Sequence, residues 1–323
     1  MRFEATDEDV GTRLDRAVCA RLPELSRARI QEWIRGGRVL VDGEAQPRGS
    51  TKLHGGETVD VDPAPLKPLR AEAEDIELDI LYEDDDIAVI NKPAGMIVHS
   101  GAGAASGTLV NALLHHFESL SQVSGALRPG IVHRLDRLTS GVLMVAKHDR
   151  SHRRLQQQFL SREIQKTYWA VVQGNVAADP NADPKILRHG RPLMSDGHWW
   201  VRFEMPIRRD RRNRVKMAMA LTGREAVSDV RRLRGNGSYS LLEVRILTGR
   251  THQIRVHLSA SGHPVVGDHL YGAYKAIQGL PAFERFFLHA RTIAFKHPTS
   301  GEAVSFEAPL PIEYKRLLED LQL

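Results

Sequence analysis

The stretch His133-Arg134-Leu135-Asp136-Arg137-Leu138-Thr139-Ser140-Gly141 runs directly into five apolar residues, Val142-Leu143-Met144-Val145-Ala146. The apolar run has the length of a buried strand. Thr139, Ser140 and Gly141 suit a tight turn feeding it. One carboxylate, Asp136, therefore sits in a basic loop at the mouth of a core strand. A carboxylate is costly there unless it is paired. Asp136 is either a turn residue capping backbone N–H groups or a charge kept for chemistry. In the second reading it is the candidate nucleophile.

Two further stretches weigh for chemistry. The first is Lys166-Thr167-Tyr168-Trp169-Ala170-Val171-Val172-Gln173-Gly174. In an alternating strand Tyr168, Ala170 and Val172 share one face, and a buried phenol needs a polar partner. The second is Gly249-Arg250-Thr251-His252-Gln253-Ile254-Arg255-Val256-His257-Leu258. It reads as a strand ending near Thr248, then a helix capped by Thr251 and stopped before Gly262 and Pro264. Helix side chains lean back over the preceding turn. Arg255 is therefore expected near the strand–helix junction.

The chain has 323 residues, which favours two domains. Lys+Arg 45 against Asp+Glu 40 gives a net charge of +5, compatible with a polyanionic partner. Arg208, Arg209, Arg211, Arg212, Arg214 and Lys216 crowd one short stretch, and acids crowd Glu72 to Asp86. The lone cysteine, Cys19, excludes an internal disulfide and a Cys-cluster zinc site. It fits a reducing, cytoplasmic compartment. The N-terminus has no apolar signal core, and no apolar run nears the roughly 20 residues that cross a bilayer. No membrane partner is expected.

Residues 1–10 read as an N-terminal tail and 11–62 as a compact unit. A helix is expected from Arg13 to Leu22, stopped by Pro23. A second, capped by Ser26, ends at Gly36-Gly37. There Ile30, Trp33 and Ile34 face inward while Arg27, Arg29 and Arg35 stay wet. A strand, Arg38 to Val41, meets the turn signal Asp42-Gly43, and Val59 and Val61 mark a closing strand. Residues 63–75, with Pro63, Pro65 and Pro68, read as a linker. From 76 to 323 strands and helices mix. Strands are expected at 87–90, 142–146, 168–172, 241–247 and 292–295, and helices at 109–117, 151–160 and 311–321. Strands not separated by regular helices argue for an α+β fold.

The quoted loop resembles the HRLDxxTSG signature of the RluA-type pseudouridine synthases, with every fixed position present. The Tyr168 strand is similar to that family's KxYxAxVxG stretch, and residues 249–257 to its GRTHQIRVH stretch. Tyr82 to Asp86 with Asn91 to His99, and Leu288 to Arg291 with His297 to Gly301, extend the likeness. Residues 11–62 resemble an S4 domain, a small RNA-binding module. Ser100, where the family often has proline, and Leu193 to Lys216 depart most. The resemblance implies an S4 domain before a catalytic domain built on a bent, mainly antiparallel mixed sheet with flanking helices. It implies conversion of uridine to pseudouridine, in which the base leaves C1′ through N1 and returns through C5. Asp136 would be the nucleophile, attacking the nucleotide or else abstracting a sugar proton to leave a glycal, with Arg255 its salt-bridge partner and Tyr168 a ring stacked on the base and assisting proton removal. Arg134 would fill the space of the flipped uridine. Arg27, Arg29, Lys92 and His133 are read with it as RNA contacts.

The isomerisation consumes nothing, so neither cofactor nor metal is expected. The implied partner is 23S ribosomal RNA or its large-subunit precursor, at the stem-loop bridging to the decoding centre, met by a monomer. One alternative is the other 23S uridines modified by RluC-type relatives. Another is a non-catalytic RNA-binding assembly factor, for which Asp136 would be dispensable. A phosphatase or dehalogenase would need a metal or a second carboxylate close behind the nucleophile, and Arg137-Leu138 supplies neither.

Overall fold

The computed structural model describes all residues except 24, 26, 47, 63–70, 100–105, 275–276, 278–279 and 281–282. The chain divides into two compact units, Met1–Leu69 and Arg70–Leu323. Ser26, Ser100 and the linker prolines fall outside the described residues.

The first unit contains β1 (Arg2–Glu4), α1 (Leu14–Arg21), α2 (Arg27–Arg35), β2 (Val39–Val41), β3 (Glu44–Ala45) and β4 (Thr58–Val61). The strands are ordered β1-β4-β2-β3. Residues 1–10 are therefore not a tail. β1 pairs antiparallel with Thr58 to Asp60, and three residues were too short to show a period. Asp42 and Gly43, at φ 52° and 81°, make the left-handed pair a two-residue hairpin needs. Ile30, Trp33 and Ile34 are buried against Leu14, Val18, Val39 and Val59, as their spacing requires. Arg29 is a correction. Its side chain is only 13% exposed and pairs with Glu32. Arg27 is exposed, but its guanidinium is committed to buried Asp15 at 2.9 Å.

The second unit starts earlier than expected. Ala71 N donates to Ala126 O, Glu74 N to Asn111 O, and Asn111 Nδ2 to Glu72 O. Residues 71–75 thus belong to this unit rather than to a linker. Its elements are β5 (Ile80–Glu83), β6 (Ile87–Lys92), α3 (Leu109–His116), β7 (Ser140–Ala146), α4 (Asp149–Leu160), β8 (Gln165–Gln173), β9 (Gly190–Ser195), β10 (His198–Phe203), β11 (Ile207–Arg209), β12 (Met217–Met219), β13 (Ser228–Gly235), β14 (Tyr239–Ile246), α5 (Gln253–Ala260), β15 (Leu288–Lys296), β16 (Ala303–Glu307) and α6 (Ile312–Asp320). The large sheet runs β5-β6-β7-β15-β8-β14-β13-β10-β9, with β16 beside β15. Among the described strand pairings of this sheet, only β7–β15 is parallel. Its core joins Val89, Leu143, Val145, Ala170 and Val244 to Leu109 and Leu113 of α3.

The β7–β15 contact explains Gly141. At φ +112° a Cβ there would lie 2.1 Å from Ala290 O, so no side chain fits. The glycine lets β7 meet β15, and the Asp136 loop is carried to the centre of the sheet.

Candidate active site

Asp136 lies on the loop entering β7, and the loop is pinned from several sides. Thr139 N donates to Asp136 O, and Gly95 N donates to Arg137 O. Arg137 Nε returns a bond to Gly95 O. Below it lies Lys92, which is not an RNA contact: it is fully buried. Its ammonium donates to Pro93 O at 2.7 Å, Met96 O at 3.0 Å and Arg137 O at 3.3 Å. Burial and the Arg285 charge push its pKa down to about 7, while Asp136 acts the other way. Lys92 ties two loops together under the carboxylate. Lys92→Met removes the donor that joins three loop carbonyls, although Arg137 O keeps the Gly95 N–H. It is expected to cost about 1–3 kcal/mol, read as a lowered denaturant midpoint with unchanged slope.

The other arm is α5. Arg255, on its first turns, reaches Asp136 Oδ2 through Nη1 at 3.1 Å. Its Nε and Nη2 fork onto Asp268 at 2.6 and 2.9 Å. The guanidinium also lies over the Phe286 and Tyr271 rings, at 4.2 and 4.9 Å. One arginine thus bridges a buried carboxylate and a partly exposed one, and is immobilised by the first. The N-cap of α5 is His252, in the left-handed region at φ 56°, not Thr251. This conformation turns His252 toward the site, its Nε2 4.0 Å from Asp136 Oδ2. Tyr271 OH accepts from Met217 N at 2.8 Å and shares a second hydrogen bond with His252 Nδ1, also at 2.8 Å.

Asp136, Tyr168, Arg255 and Arg134 line one cleft of about 550 Å³, open solvent included, with Thr139, Arg250, His252 and Leu288. Tyr168 comes from β8. Its hydroxyl makes no hydrogen bond among the described residues, so the phenol faces the cleft without a protein partner. Burial, then the Asp136 charge, raises its pKa. The phenol stays protonated near neutral pH, able to donate a proton or stack but badly placed to accept one. A kcat/KM profile from pH 6 to 9 should therefore show no limb from a Tyr168 phenolate. Tyr168→Phe should lose no more than about 10²-fold in kcat, the low end of the roughly 10²–10⁴-fold worth of one proton-transfer group.

His133 is a further correction. Its Nε2 accepts the Met144 N–H at 3.0 Å, and its ring lies against Phe159. Burial pushes its pKa down to about 3, so it has no charge to offer a phosphate. It braces the loop against β7. Arg134 is exposed and has no hydrogen bond or ion pair among the described residues. Arg27 and Arg29 lie in the first unit and are not part of this cleft. Sequence reading missed Asp268, His252 and Tyr271. An aspartate after Val265-Val266-Gly267 was the available signal for the first.

The six basic residues at 208–216 sit on or between β11 and β12, and the hairpin is fastened by the Met217–Tyr271 bond. Among the described residues one group of three ligating side chains comes together, Asp84, Asp86 and His297. His297 Nδ1 accepts from Thr299 N and Ser300 N. Its Nε2 is therefore protonated toward Asp84, 2.9 Å away. That tautomer serves a hydrogen bond rather than a metal.

Residues 86–260 match the model of the RNA pseudouridylate synthase family, and residues 12–59 that of the S4 domain. The chain is 41% identical to the ribosomal large subunit pseudouridine synthase D of Xanthomonas campestris, covering 98% of this chain and 91% of that protein. It is 39% identical to the uncharacterized RNA pseudouridine synthase YlyB of Bacillus subtilis, covering 98% and 97%. The solved human RNA pseudouridylate synthase domain containing 4 is similar with a TM-score of 0.52 and 25% identity, over 76% of this chain and 93% of that one.

Proposed function

The chain belongs to the RNA pseudouridylate synthase family, and on that premise we propose that it isomerises uridines of 23S ribosomal RNA with Asp136 as nucleophile. The observation that carries the reading is the Asp136–Arg255 pair, 3.1 Å apart, in a cleft also walled by Tyr168. The basic hairpin and the S4 domain hold the RNA backbone. Such contacts position rather than specify. The target uridine leaves its stack at a cost of a few kcal/mol, and Arg134 takes its place, a guanidinium plane being able to stack there. The uracil enters beside Tyr168. Asp136 attacks the nucleotide and the N1–C1′ bond breaks. The base turns, C5 bonds to C1′ as the bond from Asp136 to the nucleotide breaks and frees the carboxylate, N1 gains a proton and the C5 proton leaves.

The name of the Xanthomonas relative supports the large subunit as substrate, and the stem-loop bridging to the decoding centre is the target we propose. The test is tritium release from C5-labelled 23S RNA of a strain lacking the enzyme, followed by mapping of pseudouridine. Release mapped to that stem-loop supports both levels. Release mapped elsewhere moves the target to other 23S uridines. No release from this RNA or its large-subunit precursor sinks the reading.

A further inference from the structure

A second groove opens from the catalytic cleft. It shares the walls Arg134, Tyr168 and Arg250 with that cleft, and adds Lys166, Arg162 and Phe159. Its free space is about 990 Å³, open solvent included. Four of these six side chains are cationic. Glu225, the acid beside them, is already engaged: its carboxylate holds Arg162 at 2.7 Å and its carbonyl accepts from Arg250 Nε.

Lys166 differs from its neighbours. It rises from β8 two residues before Tyr168 and is half-buried. Its ammonium makes no hydrogen bond or ion pair among the described residues and rests 5.2 Å from the centre of the Phe159 ring. A half-buried lysine without an anion is an unfavourable arrangement. Burial and the Arg250 charge push its pKa down to about 8, the mark of a cation short of negative company. Leu160, 78% exposed, lies beside it on the groove lining and adds apolar surface suited to a ribose or base edge.

We propose that this groove holds one backbone phosphate of the substrate RNA, adjacent to the flipped uridine, with Lys166 as its principal contact. The assignment rests on the synthase reading and adds to it where the strand leaves the cleft. A compact ammonium on a flexible stem suits a phosphate oxygen. The shared wall of Arg134, Tyr168 and Arg250 puts that phosphate within a nucleotide or two of the reacting sugar.

The test couples protein and RNA changes. Substrate stem-loops carry a single neutral methylphosphonate at each linkage around the target uridine. They are bound by wild type, Lys166→Met and Lys166→Arg, with thermal unfolding of each protein followed alongside. At one linkage, neutralisation should weaken wild-type binding about tenfold, the scale of one charged hydrogen bond, and Lys166→Met binding less than about twofold. Lys166→Arg should keep the coupling. The salt slope of Lys166→Met should shrink by about 0.7, one phosphate on a single strand. If every linkage affects wild type and Lys166→Met alike, the groove is not a phosphate site, whether or not the methionine variant is less stable. Tritium release by wild type on the same RNA separates the two ideas. Release without coupling overturns the groove alone, and no release from these stem-loops, from 23S RNA or from its large-subunit precursor overturns the synthase reading beneath it.

Discussion

Asp136→Asn loses at least about 10⁴-fold in tritium release, the scale of removing a nucleophile, while still folding and binding RNA. The substitution keeps the shape of the side chain and removes its charge. Arg255 retains its fork on Asp268, so the centre of the site keeps its main ion pair. Asp136 is 18% exposed at its side chain, so losing its share of the pair should cost no more than about 1–2 kcal/mol. RNA affinity should hold or improve slightly, because one negative charge facing a polyanion is gone. The measurements are single-turnover release, equilibrium binding and denaturant unfolding on the same preparation. Release within about tenfold of wild type would remove Asp136 from the chemistry, whereas no release by either protein would return the chain to the binding-factor reading.

The legible part of this site is the part written in contiguous residues. Thr139-Ser140-Gly141 announced a turn into β7; the turn lies just ahead of them, closed by Thr139 N on Asp136 O, and Ser140 and Gly141 already belong to the strand. Arg255 was expected near a strand–helix junction from helix geometry alone, and it lies across 119 residues of chain from Asp136 in hydrogen-bond range. Asp268 was not legible. Its importance depends on where the segment after α5 returns, a matter of sheet order and not of local pattern. Gly267 carries the trace of that return, since a Cβ there would lie 2.1 Å from Arg285 O. Tyr271 and His252 were hidden for the same reason. Their bond joins the hairpin to the neighbourhood of Asp136 only after α5 has docked.

Lys92 and His133 failed differently. A lysine and a histidine beside basic loops look like surface contacts, because such residues are mostly exposed. Yet Lys92 ends an apolar run, Ile87-Ala88-Val89-Ile90, and faces Gly141 across the β6–β7 ladder. The ladder, not the residue type, decides that its ammonium points under the loop. Residues 193–216 matched the family least. They fold as the hairpins β9–β10 and β11–β12 at a sheet edge and beyond it, where side chains answer to solvent and substrate more than to a core.

Arg255 should separate stability from catalysis more sharply than any other position. Arg255→Met leaves Asp268, 1% exposed at its side chain, as a buried carboxylate without its cation. The expected loss is about 3–5 kcal/mol. Arg255→Lys restores one charge but cannot fork onto Asp268 and reach Asp136 together. It should recover part of the stability and still lose about 10²-fold in rate, the cost of a misplaced reacting group. The informative variant is Arg255→Met with Asp268→Asn. Removing both buried charges relieves the desolvation penalty that the single change exposes, so the denaturant midpoint should return most of the way to wild type. Activity should not return, because Asp136 then has no guanidinium to orient it. A double variant that regained both stability and tritium release would show that Arg255 serves the fold alone. One that regained stability without release would tie the Asp136–Arg255 contact to the reaction.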